Sequence, residues 1–364
     1  MTNVSIALCF NDRYCSLAAA AITSIINHTS KSNNYEIYIF HSDISEENQG
    51  LIMELNDKDN ISLEFLKIDF DAMSGIENLY TWTYLSKDVY TRLFLHRLLP
   101  AVEKLLFLDV DIIVNGDIAQ LYDTNLGDKS IGVCRDQHLW FDDVELAKKE
   151  PITNPDFAHF DNRYNYYRKY LKLTDTEITS YFNAGVILLN LKKYGKIIDE
   201  WMPRLAGIKF YLLDQDMLNM IFKNDRYDLD PKYNVFAENV FDYILQNKNM
   251  PFIIHYAGPS KPTQDYLRPI DNLYWQTVSN TKFYYQAINN LIGNKIDLAY
   301  LNNLDNLYYD LRRIKKIKRK QKVIRMFIWF ITDKKRYRKL KRRPEQFFAD
   351  SRNNIIKFLG KFYN

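Results

Sequence analysis

Two aspartates one residue apart, Asp109 and Asp111, sit where an apolar run is interrupted: Lys104 to Leu108 lead in, and Ile112, Ile113 and Val114 lead out. Carboxylates spaced this way can share a hard divalent cation, directly or through water, and the cation can then hold a diphosphate. Burying them without a partner is costly. A pair of solvated acids at a strand exit is the alternative that the spacing alone leaves open. The run is closed by the turn signal Asn115, Gly116 and Asp117. It reads as one strand buried on both faces, as in a parallel sheet. In open α/β sheets, ligands bind at the carboxyl ends of such strands.

Other residues able to do chemistry stand at comparable breaks. His255 ends the apolar run that starts at Pro251, and a Gly/Pro turn carrying Gly258 and Lys261 follows. The stretch Tyr90 to Pro100 reads as a helix stopped by its proline. Its Arg92 points toward whatever the two acids bind, with a surface salt bridge as the plainer reading. Ala184 and Gly185 open a strand that runs to Leu191, and such small residues allow a ligand or a backbone to approach closely. A helix then begins at Asp214, followed by Gln215.

These positions need a frame, and the apolar periodicity supplies one. Strands are expected at Val4 to Phe10, Glu36 to Phe40, Ser62 to Ile68 and Ile131 to Cys134, the last ending at Arg135 and Asp136. Helices are expected at Ser16 to Asn27, with Ser16 as N-cap, and at Glu46 to Asn56. Such alternation predicts a mostly parallel sheet with right-handed crossovers. The turn Asn11 to Tyr14 between the first strand and helix is placed to meet a nucleotide base and phosphate. No Gly-rich phosphate loop occurs, which argues against a dinucleotide or P-loop fold. Trp140 to Ser180 breaks the alternation with aromatics, charges and two prolines. A long irregular stretch inside a compact domain reads as a mobile flap or acceptor wall.

Composition bounds the rest. The 364 residues have room for one large α/β domain with an appendage, and 47% apolar content excludes a disordered chain. Cys9, Cys15 and Cys134 show no metal-ligand spacing, so buried free thiols in a reducing compartment are expected. The amino terminus lacks a basic n-region and enters a strand at once, unlike a signal peptide. No stretch reaches the roughly 20 apolar residues of a membrane span. A cytoplasmic location follows as the expectation.

Four stretches, FLDVDIIVNGDI, YFNAGVILLNL, LDQDMLN and IHYAGPSKP, occur in that order. Together they closely resemble family 8 glycosyltransferases, in particular the bacterial lipopolysaccharide galactosyl- and glucosyltransferases. The resemblance covers roughly Val4 to Lys261. It implies an α/β, Rossmann-like GT-A fold over residues 1–275, a UDP-sugar donor, Mn2+ or Mg2+, and retention of anomeric configuration. It makes Asp109, Asp111 and His255 the metal ligands, and Gly258 and Lys261 the holders of the diphosphate. Asn11, Tyr14, Arg92, Val110, Asn183 and Ala184 would line the donor site, Tyr14 by stacking on uracil. Arg13 stands where the family usually has asparagine, so one ribose or uracil contact departs from the pattern. Asp136, Asp214 and Gln215 fall at the reacting sugar, where Gln215 would steady a cationic anomeric centre. The reaction expected is transfer of a glucose or galactose from a UDP-sugar to a hydroxyl of a cell-surface glycan. A catalytically inactive sugar- or nucleotide-binding homologue and a nucleotide-sugar hydrolase are the alternatives.

The charge is uneven. From Leu311 to Asn364 there are 20 Lys+Arg against 3 Asp+Glu, whereas the other 310 residues carry 29 basic and 42 acidic side chains. Residues 276–364 therefore read as a basic helical extension. Its aromatic and aliphatic runs suit the surface of an anionic membrane better than nucleic acid, and would seat the protein peripherally on the inner face.

Overall fold

The computed structural model describes residues 2–70, 79–81, 87–138, 141–258, 261–264 and 268–295. The expected basic extension beyond Lys295, and Trp140, lie outside these residues. The strands are β1 (Asn3–Cys9), β2 (Asn34–His41), β3 (Ile61–Lys67), β4 (Lys104–Leu108), β5 (Ile112–Val114), β6 (Ile131–Arg135), β7 (Phe182–Asn190), β8 (Arg226–Asp228), β9 (Val235–Phe236) and β10 (Ile253–His255). The helices are α1 (Cys15–His28), α2 (Glu46–Met53), α3 (Leu95–Leu98), α4 (Ala119–Tyr122), α5 (Val144–Ala147), α6 (Arg163–Asn165), α7 (Asp175–Thr179), α8 (Leu191–Leu205), α9 (Asp214–Phe222), α10 (Val240–Asn247), α11 (Asp271–Val278) and α12 (Tyr284–Lys295).

Seven strands form the main sheet in the order β3-β2-β1-β4-β7-β6-β8. β1 pairs in parallel with β2 and β4, β2 with β3, and β6 with β8, while β7 runs antiparallel to both its neighbours. The expected mostly parallel α/β sheet is therefore present. β7 is almost wholly buried, and its apolar run leaves no solvent face. One face of the sheet is covered by α1, whose Ala18, Ala19, Ala20 and Ala21 are all buried; side chains this small let a helix lie close to the strands. Phe107, Leu105, Ile187 and Leu189 face a second core on the other side, with α8 and α9.

The apolar run around the two aspartates is not one strand. It is cut into β4 in the main sheet and β5 in a three-stranded sheet of order β5-β10-β9. Hydrophobicity alone does not distinguish a continuous buried strand from two strands that change sheets. Tyr90 to Pro100 also departs from a plain helix: Lys87–Phe94 is a 3-10 helix, and only the short α3 follows. Nor is Ser16 a cap. Tyr14 precedes α1 without a side-chain cap bond, while buried Ser16 accepts at its carbonyl from the Tyr274 hydroxyl at 3.2 Å. That bond ties α11 to α1, and α12 buries Ala287 in the same core. The compact unit runs on to Lys295.

The described part of the irregular segment, Phe141 to Ser180, is packed rather than loose. Phe141 stacks on Tyr181 at 4.4 Å, and Tyr166, Tyr167, Leu171 and Ile178 are buried. Fully buried Asp216 ties the segment down, accepting from the hydroxyls of Tyr166 at 2.7 Å and Tyr181 at 2.5 Å and from the Leu212 N–H at 2.7 Å. Leaving such a donor unpaired costs about 1–3 kcal/mol, so the Tyr166 bond holds the segment to Asp216, while the other two order Tyr181 and Leu212 outside it. The segment, expected as a mobile flap or acceptor wall, is packed against its neighbours where it is described. Among the described residues, no helix is long and apolar enough to cross a membrane.

Candidate active site

The two aspartates occupy the point where the chain leaves one sheet for the other. The Asp109 N–H donates to the Gly185 carbonyl at 2.7 Å, extending the β4–β7 ladder, and the Asp111 carbonyl accepts from the Tyr256 N–H at 2.8 Å, extending β5–β10. His255 pairs with Ile112 across that second ladder. Two backbone registers therefore bring residues far apart in sequence to one place. Donor atoms of Asp109, Asp111 and His255 all lie within 4.8 Å of one another. His255 Nε2 stands 3.2 Å from Asp111 Oδ1 and 3.8 Å from Asp109 Oδ2.

Gly185 makes room for this approach. A Cβ there would overlap His255 Cε1 and lie 2.7 Å from Asp109 Oδ2. What comes close to the expected small residue is thus the imidazole itself. Two carboxylates and an imidazole with its ring edge exposed to both form a donor set suited to a divalent transition ion or magnesium.

Fixed cations border the acids. Arg92 is brought in by its 3-10 helix over the face of Phe107, with Nη2 2.9 Å from Asp109 Oδ1 and Nε 2.8 Å from Asp214 Oδ2. Burial pushes the Asp214 carboxyl up to about 6, against the pull of Arg92 and with help from Asp109. Asp214 is the first residue of α9 and not its N-cap. The N-cap, Leu213, has a φ of +49°, a conformation costly for a branched side chain, and it turns Asp214 and Gln215 toward β7. Lys261 contacts Asp111 Oδ2 and donates to the Tyr256 carbonyl at 2.7 Å. Burial alone would raise the Asp111 carboxyl, but Lys261 and His255 hold it well below the usual carboxylate range.

A chain of hydrogen bonds leads away from the imidazole. His255 Nδ1 meets Asn234 Oδ1 at 2.9 Å, Asn234 Nδ2 donates to Asn183 Oδ1 at 2.9 Å, and Asn183 Nδ2 donates to Gln215 Oε1 at 3.1 Å. Gln215 Nε2 donates in turn to Asp136 Oδ2 at 3.1 Å. Asp136 is buried and also sits 2.6 Å from His138 Nδ1. Asp136, Asn183, Asp214 and Gln215 are thus gathered, as the sequence suggested, with Asp109, Asp111, Arg92, His255 and Lys261. Ala184 directs its N–H to Gln215 Oε1 and its carbonyl to Arg92. The Val110 side chain belongs to the hydrophobic core. Gly258, in the loop after β10, adopts φ +80°, a conformation that favours glycine.

Asn11 and Tyr14 lie at the carboxyl end of β1, the neighbour of β4, and so share its sheet edge. Asn11 Nδ2 reaches Asp88 Oδ2 at 3.5 Å, and its buried Oδ1 has no partner among the described residues. Asp12 is structural: it accepts from Ser45 and Asn48 and so anchors α2. Burial pushes the Cys9 thiol up to about 12, and all three cysteines are free. Asn234, Asp88 and His138 are site neighbours that sequence reasoning missed. Asn234 and His138 sit in irregular stretches and Asp88 in the 3-10 helix before α3, where only long-range pairing reveals a role.

A mixed sheet of this order, with an Asp-x-Asp pair at the β4 exit and a histidine returned from a second small sheet, defines a GT-A glycosyltransferase. The chain belongs to glycosyl transferase family 8, whose sequence profile matches residues 5–266. Lipopolysaccharide 1,2-glucosyltransferase of Escherichia coli K12 is 24% identical over 310 residues, covering 80% of each chain. Lipopolysaccharide 1,3-galactosyltransferase of Salmonella typhimurium is 24% identical over 237 residues, covering 61% of this chain and 62% of its own. Among solved structures, the bifunctional glycosyltransferase WbbM in its apo form superposes with a TM-score of 0.65 at 25% identity, over 80% of this chain and 52% of that one. The galactosyltransferase LgtC with donor and acceptor sugar analogues gives a TM-score of 0.58 at 21% identity, over 83% and 99% of the two chains.

The close approach at Gly185 is testable. Gly185→Ala should lower stability by about 1–3 kcal/mol in denaturant unfolding, as overpacking does. It should also weaken Mn2+ binding measured by titration calorimetry, because the imidazole must move off the two acids. An alanine variant equal to the parent in both would contradict the packing described.

Proposed function

We propose that the chain transfers a hexose, glucose or galactose, from a UDP-sugar to a hydroxyl of a cell-surface glycan such as lipopolysaccharide, with retention of anomeric configuration. The observation that carries this reading is the meeting of Asp109, Asp111 and His255 with donor atoms within 4.8 Å of one another. Charge supports it further. Three carboxylates, those of Asp109, Asp111 and Asp214, share two neighbouring fixed cations, Arg92 and Lys261. A diphosphate adds more negative charge, and a divalent ion balances it. Asp109, Asp111 and His255 would hold Mn2+ or Mg2+, which supplies Lewis-acid stabilisation of the leaving diphosphate.

The roles of the chain's own residues follow from their contacts. Lys261, beside Asp111 and on the loop with Gly258, is positioned to neutralise charge that develops on UDP as the glycosidic bond breaks. Arg92 fixes Asp109 on one side and Asp214 on the other, leaving the Asp214 carboxylate to accept from sugar hydroxyls. Gln215 Oε1 already accepts two hydrogen bonds, from Ala184 N–H and Asn183 Nδ2. An amide so engaged is a poor nucleophile, which favours same-face attack by the acceptor over a covalent intermediate. Gln215 then steadies the oxocarbenium-like centre by its dipole, and a leaving phosphate oxygen takes the acceptor proton. Tyr14 and Asn11 would receive the uridine at the β1 end. The wall from Phe141 to Ser180 would face the acceptor.

Release of UDP from UDP-glucose and UDP-galactose, with and without a glycan acceptor, tests the reading. Asp111→Ala should abolish release, whereas Gln215→Ala should lower turnover severely but leave a measurable remainder. A fully active Asp111→Ala enzyme with no metal requirement would refute it. The 20 basic residues of 311–364 further support a seat on an anionic membrane, where lipid-linked acceptors are assembled. The full chain should therefore sediment with anionic vesicles and remain in solution with zwitterionic ones. Equal sedimentation with both would exclude an electrostatic attachment.

A further inference from the structure

We propose that Asn234, just before β9, is a positioning residue that holds His255 in the tautomer whose Nε2 lone pair faces Asp109 and Asp111. This rests on the metal reading above and extends it to a side chain that touches neither ion ligand oxygens nor substrate.

The argument is one of hydrogen-bond polarity, anchored at groups whose polarity cannot change. The Gly185 backbone N–H can only donate, and it lies 2.9 Å from the Asn183 side chain, so the Asn183 atom it meets is Oδ1. Asn183 Nδ2 therefore faces Gln215. The Gln215 atom there also receives the Ala184 N–H at 3.0 Å, so it is Oε1, in agreement. The far end of Gln215 meets a carboxylate oxygen of Asp136 and so is its NH2. Two backbone donors and one carboxylate thus fix the direction of both amides independently.

Asn183 Oδ1, so fixed, accepts from Asn234 at 2.9 Å, which makes that Asn234 atom Nδ2. Asn234 Oδ1 is left facing His255 Nδ1 at 2.9 Å. Two acceptors cannot bond, so Nδ1 carries the hydrogen, and in the neutral ring Nε2 carries the lone pair. Both residues are buried, Asn234 at 0% and His255 at 2% exposure, so water does not offer Nδ1 an alternative partner. The Phe236 ring, edge-on at 5.6 Å, keeps the imidazole from swinging away.

The opposite tautomer has a ready partner of its own. With its hydrogen on Nε2, His255 would donate to Asp111 Oδ1, 3.2 Å away, and so tie up two of the three candidate ligands in one hydrogen bond. Asn234 opposes that state. Outer partners of ligating histidines act in this way, and their loss lowers metal affinity about 10–100-fold.

The experiment uses the full chain and Mn2+ alone. Titration calorimetry compares wild type with Asn234→Ala and Asn234→Asp, each checked for a native melting transition. The alanine variant should bind Mn2+ about 10–100-fold more weakly. The aspartate variant keeps an acceptor for Nδ1–H but sets its second oxygen against Asn183 Oδ1. Its His255 hydrogen should stay on Nδ1 in the histidine side-chain 15N spectrum. Independently, histidine side-chain 15N shifts of the metal-free wild type, recorded at alkaline pH, should place the His255 proton on Nδ1. A folded alanine variant that binds Mn2+ as tightly as wild type overturns the assignment, and so does a wild-type spectrum with the proton on Nε2. Should the wild type itself fail to bind Mn2+, the metal reading falls, and the spectrum still reports separately on Asn234.

Discussion

Like charges brought together at a sheet junction govern this molecule. Two carboxylates about 5 Å apart repel by about 3 kcal/mol at an effective dielectric of 20, before the cost of desolvating them is counted. The two acids meet where β4 ends and β5 begins. Arg92 and Lys261 offset it from opposite sides: Arg92 is anchored over Phe107, and Lys261 arrives on the loop after β10. The 3-10 helix brings Arg92 to Asp109, and β10 with the loop after it brings His255 and Lys261 to Asp111.

The same constraint orders the polar interior. His255, Asn234, Asn183, Gln215 and Asp136 form a continuous chain with a single direction, set by the N–H groups at the start of β7. Cooperative networks of this kind are rigid when every member is satisfied. The metal-type cluster and Gln215 are therefore parts of one framework. Four hydrogen bonds link His255 at one end to Asp136 at the other.

Much of this was legible in the chain itself. Asp109 and Asp111 stand out because acids are rare inside so apolar a run, and His255 because a buried strand ends on it. The alternation of strands and helices conveyed the parallel sheet and the ends at which ligands gather. Other features were not legible. A bend from one sheet to another leaves no mark in hydrophobicity, so β4 and β5 read as one strand. Tyr166 looks like a loop aromatic until Asp216 is seen to accept from its hydroxyl and from that of Tyr181. Asn234 lies in a stretch without periodicity, and its importance rests wholly on partners 21 and 51 residues away.

The central claim is that three side chains from two sheets enclose one divalent ion. Anomalous diffraction at the manganese edge, from crystals of the protein grown with Mn2+ and UDP, tests it most directly. The account predicts a single strong peak within bonding distance of Asp109, Asp111 and His255 Nε2. A peak elsewhere, or a bound UDP with no ion between its diphosphate and the two aspartates, would contradict it.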